Sequence, residues 1–175
     1  FEGMNFVRHY ITANGTYAGD NFGTVSKDNP IVDYESKPDN QLQLLKFTRE
    51  GAKDIILMNW QGHPDATRVG NLQIRSDVDI VRKELEPQLD CHFAYFLGAS
   101  GNMNTYSYIK SENITKDYIE RGKALATYAI EAVPKFAEAK IGNIQFLYSD
   151  FKAGSLNNES AKMSIPMYAL SIGDL

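Results

Sequence analysis

The chain has 175 residues, 43% of them hydrophobic, with a formal net charge of -4, and that is apolar content enough for one core. Its lysines and arginines are scattered among acids and leave no basic stripe, which argues against nucleic acid as a partner, and no run reaches the roughly 20 apolar residues of a membrane-spanning helix. The single cysteine, Cys91, excludes an internal disulfide and a Cys-based zinc cage.

In chain order, Asn5 to Thr12 (NFVRHYIT) carries β-branched and aromatic residues up to Asn14-Gly15 and reads as a strand entering a tight turn. Residues 13 to 40 are rich in Gly, Asn, Asp and Pro without a sustained period, and read as a long loop. Gln41 to Thr48 and Asp54 to Trp60 form a strand hairpin about Glu50-Gly51. Ser76 stands before Asp77-Val78-Asp79 as a helix cap, and Val78, Val81, Leu85 and Leu89 share one face of a helix of about three turns. Pro87 falls near the end of that helix. His92 to Leu97 (HFAYFL) is continuously apolar, the pattern of a strand buried on both faces, and it runs into Gly98-Ala-Ser-Gly-Asn102.

The longest helix starts at a Thr115 cap and presents Tyr118, Gly122, Leu125, Ala129, Val133 and Phe136 along one stripe, with Pro134 kinking or ending it. Two strands follow, Asn143 to Phe151 and Ser164 to Ile172. Strands alternating with helices after residue 40 predict an α/β architecture, a layered mixed β-sheet core packed by helices in a single domain over residues 1–175. The chain opens on Phe1 and closes on LSIGDL, which reads as a strand cut short, so a fragment of a longer protein is expected.

Sites in such folds lie where loops leave the carboxyl ends of strands. Two loops qualify, the one after Trp60 with His63 and the one after Leu97 with the glycines. His63, in NWQGHP, is either a metal ligand or a strand-end histidine bonded to a backbone carbonyl, and Asp65 either orients it or belongs to the turn. No HExxH is present, and His9 and His92 are distant in sequence, so a zinc site has to be assembled across the fold. In GASGN, Gly98 and Gly101 flank Ser100, and glycines so placed permit positive φ and close approach of backbone N–H groups to an oxyanion; the alternative is a sharp turn. The stretch is neither GxSxG nor a phosphate-binding glycine loop. Tyr106 and Tyr108 either line a pocket or form one face of an extended segment, and the sequons at Asn14, Asn113 and Asn158 matter only in a glycosylating pathway.

The order of these pieces is more informative than any one of them. A strand ending N-W-Q-G-H-P, then R-S-D-V-D opening a helix, then a strand ending F-L-G-A-S-G-N-M-N, resembles the neutral/alkaline ceramidase-like family, whose segments look like N-F-x-x-H-P-T, S-A-D-x-x-G and Gly-x-x-Gly-Asp. The resemblance covers mainly residues 42 to 104. It implies a zinc-dependent amide hydrolase, extracytoplasmic in setting, acting on a small-molecule or lipid-like amide, with zinc held by two histidines, a glutamate and a tyrosine.

His63 matches the His-Pro histidine. The other family histidine belongs to an H-T-H-type motif upstream of the matched stretch, and the glutamate to a P-G-E-like motif that follows a strand ending in Gly-Asp, where this chain stops at Ile172-Gly-Asp-Leu175. The family's Gly-Asp-Val-Ser-Pro stretch reads Gly101-Asn102-Met103-Asn104-Thr105 here, which sets ceramide itself in doubt as the substrate. An amide cannot act as nucleophile or base, but it can donate a hydrogen bond to a developing oxyanion, the catalytic role open to Asn102 and Asn104. Gly98, Ser100 and Gly101 then shape the substrate pocket. The rival reading is a non-catalytic, ligand-binding member of the same fold.

Overall fold

The computed structural model describes residues 6–19, 25–64, 76–105, 118–139, 142, 144–155 and 158–172. They divide into two compact units, Phe1–Lys135 and Phe136–Leu175. The first holds strands β1 (Phe6–Val7), β2 (Tyr10–Thr12), β3 (Tyr17–Ala18), β4 (Ile31–Tyr34), β5 (Gln43–Phe47) and β6 (Asp54–Trp60), then helix α1 (Asp77–Leu89), strands β7 (Cys91–Leu97) and β8 (Met103–Asn104), and helix α2 (Tyr118–Ala132). The fold is α/β, as the alternation of strand and helix patterns predicts.

A mixed sheet ordered β5-β6-β7 forms the centre of this unit. β5 and β6 are the expected antiparallel hairpin, and Gly51, at φ 69°, supplies the left-handed turn between them. β6 and β7 run parallel through the α1 crossover, paired from Asp54↔Cys91 to Trp60↔Leu97. Ile56, Met58, Trp60 and Phe93 share one core with Val81 and Leu85 of α1 and with Leu125, Ala126 and Ala129 of α2. The α1 and α2 stripes are therefore the buried faces that the 3.6-residue period predicts. The helices meet closely at Gly122, where an added Cβ would stand 2.5 Å from the Ile80 Cβ and 2.6 Å from the Asp77 carbonyl.

Several expectations need correction. β7 is not buried on both faces: it lies at the edge of its sheet, only the helix-facing side is covered, and Phe96 is 56% exposed. Its outer backbone is instead satisfied by α1, because Glu86 accepts from the Phe93 N–H at 2.9 Å and Arg82 donates to the Phe93 carbonyl at 2.8 Å. Ser76 makes no side-chain cap; the Asp77 carboxylate accepts from the Val78 N–H at 3.0 Å. Pro87 lies inside α1 without ending it, and the helix closes at Asp90, which takes a left-handed φ of 45°.

The amino-terminal segment is two short strands in different sheets rather than one, because β1 pairs β8 while β2 pairs β3 and β4. Part of the presumed loop 13–40 is thus sheet, ordered β3-β2-β4. The Asn14-Gly15 turn is present, with Gly15 at φ 81°. The Asn14 side chain accepts from the Thr12 hydroxyl at 2.8 Å and the Thr16 N–H at 3.0 Å, so this asparagine does turn chemistry.

The second unit is one antiparallel hairpin, β9 (Ile144–Ser155) with β10 (Asn158–Ile172), paired without slippage from Lys162↔Gly154 to Ile172↔Ile144. Pro166 sits within β10, a position tolerated because each strand of a two-stranded ribbon has an outer edge that needs no N–H. No helix among the described residues is long and apolar enough to cross a membrane. Thr115, Asp65, Tyr106, Tyr108, Asn113 and the terminal Gly173-Asp-Leu lie outside the described residues.

Candidate functional site at the carboxyl edge of β6 and β7

Because β6 and β7 are parallel neighbours, the chain leaves both at the same edge, and residues 61–63 and 98–105 start side by side. Backbone bonds fasten the two exits together. The Trp60 carbonyl accepts the Gly98 N–H at 2.9 Å and the Tyr95 hydroxyl at 3.1 Å. Gly98 eases this approach: a Cβ there would lie 3.1 Å from the Gln61 Cγ and 3.2 Å from the Asn59 Oδ1, so those side chains would have to give by a few tenths of an ångström. Gly62 is required, since a Cβ there would run into the Trp60 indole ring. The indole therefore lies over the backbone that carries His63.

The Gln61 amide donates to Asp39 at 2.8 Å, while its Oε1 and the Nδ1 of His63 are buried and have no hydrogen-bond partner among the described residues. A buried ring nitrogen costs free energy unless it is hydrogen-bonded, which sets His63 apart at this strand exit. Behind these residues Asp77 and Arg121, 2% and 3% exposed, form an ion pair at 3.8 Å where α1 meets α2. Burial, and then the charge of Asp77, push the Tyr95 hydroxyl well above the usual phenol range, so it acts only as a neutral donor to the β6 exit.

Neither Gly98 nor Gly101 takes a positive φ. The GASGN loop is a turn closed by the Met103 N–H on the Ser100 carbonyl at 3.0 Å, and Gly101 has open space around it. The loop is pinned to the amino-terminal strand by the β1–β8 pairing and by the Arg8 N–H donating to the Asn102 carbonyl at 2.8 Å. Asn104 sits in β8 opposite Phe6.

This pinning brings in residues that the motif reading missed. Glu35, just after β4, accepts from the Nδ1 of His9, which first of all holds its carboxyl below the usual range, with smaller lowering contributions from the nearby Tyr17 and Asn102. The Nδ1 of His9 stands 3.0 Å from the Glu35 Oε2, the Tyr17 ring stacks on the imidazole with centroids 5.5 Å apart, and the Glu35 N–H donates to the His9 carbonyl at 3.1 Å. Asn102 thus lies close enough to this carboxylate to help hold it ionised. An aspartate in its place, as in the ceramidase-like pattern, would set two like charges together, so Glu35 and Asn102 belong to one arrangement.

Of the residues singled out in the sequence, His63, Gly98, Ser100, Gly101, Asn102 and Asn104 all lie on the two exits at this edge. Among the described residues no three His, Cys, Asp or Glu side chains converge to hold a metal. Comparison with protein families, curated proteins and solved structures finds no match to the chain. The ceramidase-like resemblance accordingly rests on its three motifs alone.

Proposed function

We propose that the protein is a hydrolase of amide or ester bonds, ceramidase-like in its motifs, with the carboxyl edge of β6 and β7 as its site. One observation carries the reading: parallel pairing sets His63, whose Nδ1 is buried and unpartnered among the described residues, beside the loop 98–105. His63 serves as one zinc ligand. The remaining ligands come from motifs outside the matched stretch, as in the family it resembles. Zinc, when bound, would supply a Lewis acid for the scissile carbonyl and a lowered pKa for water. The chain's own residues shape the place for the acyl group: the turn at Ser100 and Gly101 leaves open space, and Asn104, in β8 of the same loop, is the residue whose amide can donate to developing negative charge.

The test is hydrolysis of N-acyl amides and acyl esters by the full-length protein supplied with zinc. His63→Ala should abolish it, and Asn104→Ala should cost on the order of 100-fold in rate, the scale for removing one oxyanion donor. A second reading, a ligand-binding protein without catalysis, is favoured by the engagement of Asn102 with Glu35. It takes over if the zinc-supplied full-length protein binds such amides but hydrolyses none.

A further inference from the structure

The His9, Tyr17, Glu35 and Asn102 cluster draws on four separate stretches of chain, and a surface ion pair does not need that much support. His9 and Glu35 are exposed over 38% and 42% of their side chains, and an isolated pair of that kind would contribute little. Here the imidazole is held by the Glu35 carboxylate at Nδ1, by the stacked Tyr17 ring and by the Glu35 N–H on the His9 carbonyl, and Tyr17 and Asn102 both lie near the carboxylate. An ionised carboxylate at Nδ1 requires the proton there, which leaves the Nε2 lone pair free. Among the described residues Nε2 has no hydrogen-bond partner. A histidine with a fixed tautomer, a locked ring and an open second nitrogen has the arrangement of a base within a carboxylate-oriented pair. The Arg8 N–H on the Asn102 carbonyl, beside His9 in sequence, ties that pair to the loop proposed to hold the substrate.

We propose that His9, oriented by Glu35, is the proton-transfer residue of this site, and that Tyr17 and Asn102 are positioning residues acting through Glu35. The proposal rests on the hydrolase reading above. As water adds to the scissile carbonyl, one of its protons passes to Nε2 of His9 and the new C–O bond forms. When the carbonyl re-forms and the C–N or C–O bond breaks, the imidazolium returns that proton to the departing nitrogen or oxygen. The products are a carboxylic acid and an amine or alcohol, His9 ends neutral, and Glu35 stays ionised throughout. No oxidant or co-reactant beyond water enters.

The experiment compares the zinc-supplied full-length protein with His9→Gln, His9→Ala and Glu35→Gln, following hydrolysis of an acyl p-nitrophenyl ester and an N-acyl p-nitroanilide. His9→Gln should lower kcat by about 100-fold or more with KM nearly unchanged, the range for losing a general acid–base. Glu35→Gln should lower kcat by about tenfold, since it loosens the ring without removing it. Millimolar imidazole should restore part of the His9→Ala rate, and a residue with only a structural role would show no such rescue. Wild-type hydrolysis with His9→Gln equally active overturns the proposal and leaves the hydrolase reading standing, as does a His9→Ala loss that imidazole leaves untouched. Hydrolysis absent from the wild type itself overturns both.

Discussion

The sheet β5-β6-β7 with its two helices and the small sheet β3-β2-β4 are built on different forces. In the first, Met58, Leu85 and Ala129 are fully buried and Ile56, Trp60, Val81 and Leu125 are 1% exposed, so apolar area removed from water holds the layer together. In the second, Tyr10 and Thr12 are buried, but much of what fixes the chain is polar: Thr12 with Asn14 and Thr16, the Tyr10 hydroxyl donating to Gly19, and Glu35 with the side chain and carbonyl of His9. The apolar layer supplies stiffness and sets the edge on which His63 stands. The polar sheet sets the His9–Glu35 pair beside the loop that carries Asn102. Apolar burial and polar contacts are thereby divided between two parts of one unit.

Substitutions that sharpen this division differ in size. Leu85→Ala removes a fully buried side chain from the layer and should cost about 2–5 kcal/mol in urea unfolding. A loss under about 1 kcal/mol would show that the cluster is not the stabilising core. Gly122→Ala forces α1 and α2 apart at the Ile80 and Asp77 contacts and should cost about 1–3 kcal/mol. An unchanged unfolding midpoint would mean the helices are not packed as described.

The polar sheet should respond through pH. The folded carboxyl of Glu35 is held below its ordinary value by His9 first, so its stabilising contribution is present above the unfolded carboxylate pKa of about 4.3 and is lost as pH falls through the lower folded value. Thermal melts of wild type and Glu35→Gln should therefore differ slightly at neutral pH and converge in acid. Divergence that grows toward acid would contradict the contact. Smallest of all, Cys91 is 2% exposed and burial raises its thiol pKa, so it should react with a disulfide reagent only after denaturation. Prompt labelling of the native protein would show that β7 opens readily.

The same division explains what the sequence made legible. Periodic burial leaves a periodic signature, so Val81 and Leu85 on α1 and Leu125 and Ala129 on α2 could be assigned to their faces, and the Gly51 hairpin followed from its turn residue. The parallel order of β6 and β7 followed from the helix between them, and with it the shared edge of His63 and Gly98. β7 misled because HFAYFL has no alternation, and an apolar run cannot say whether its sheet is covered on one face or two. Tyr17 and Glu35 escaped altogether, and His9 was legible only as a histidine distant from His63. Polar contacts between residues 9, 17, 35 and 102 have no spacing rule, and the only hint was a long stretch dense in Gly, Asn and Pro, where functional segments collect.

The central claim is that His63 is a metal ligand at a hydrolytic edge. Zinc content and N-acyl amide hydrolysis, measured together on the full-length protein and on His63→Ala, test it most directly. The account predicts about one zinc per wild-type chain with measurable turnover, and loss of both in the variant, because a site of three or four ligands does not survive the removal of one. Zinc retained by His63→Ala with turnover intact would contradict it, and His63 would then be a strand-end histidine and nothing more.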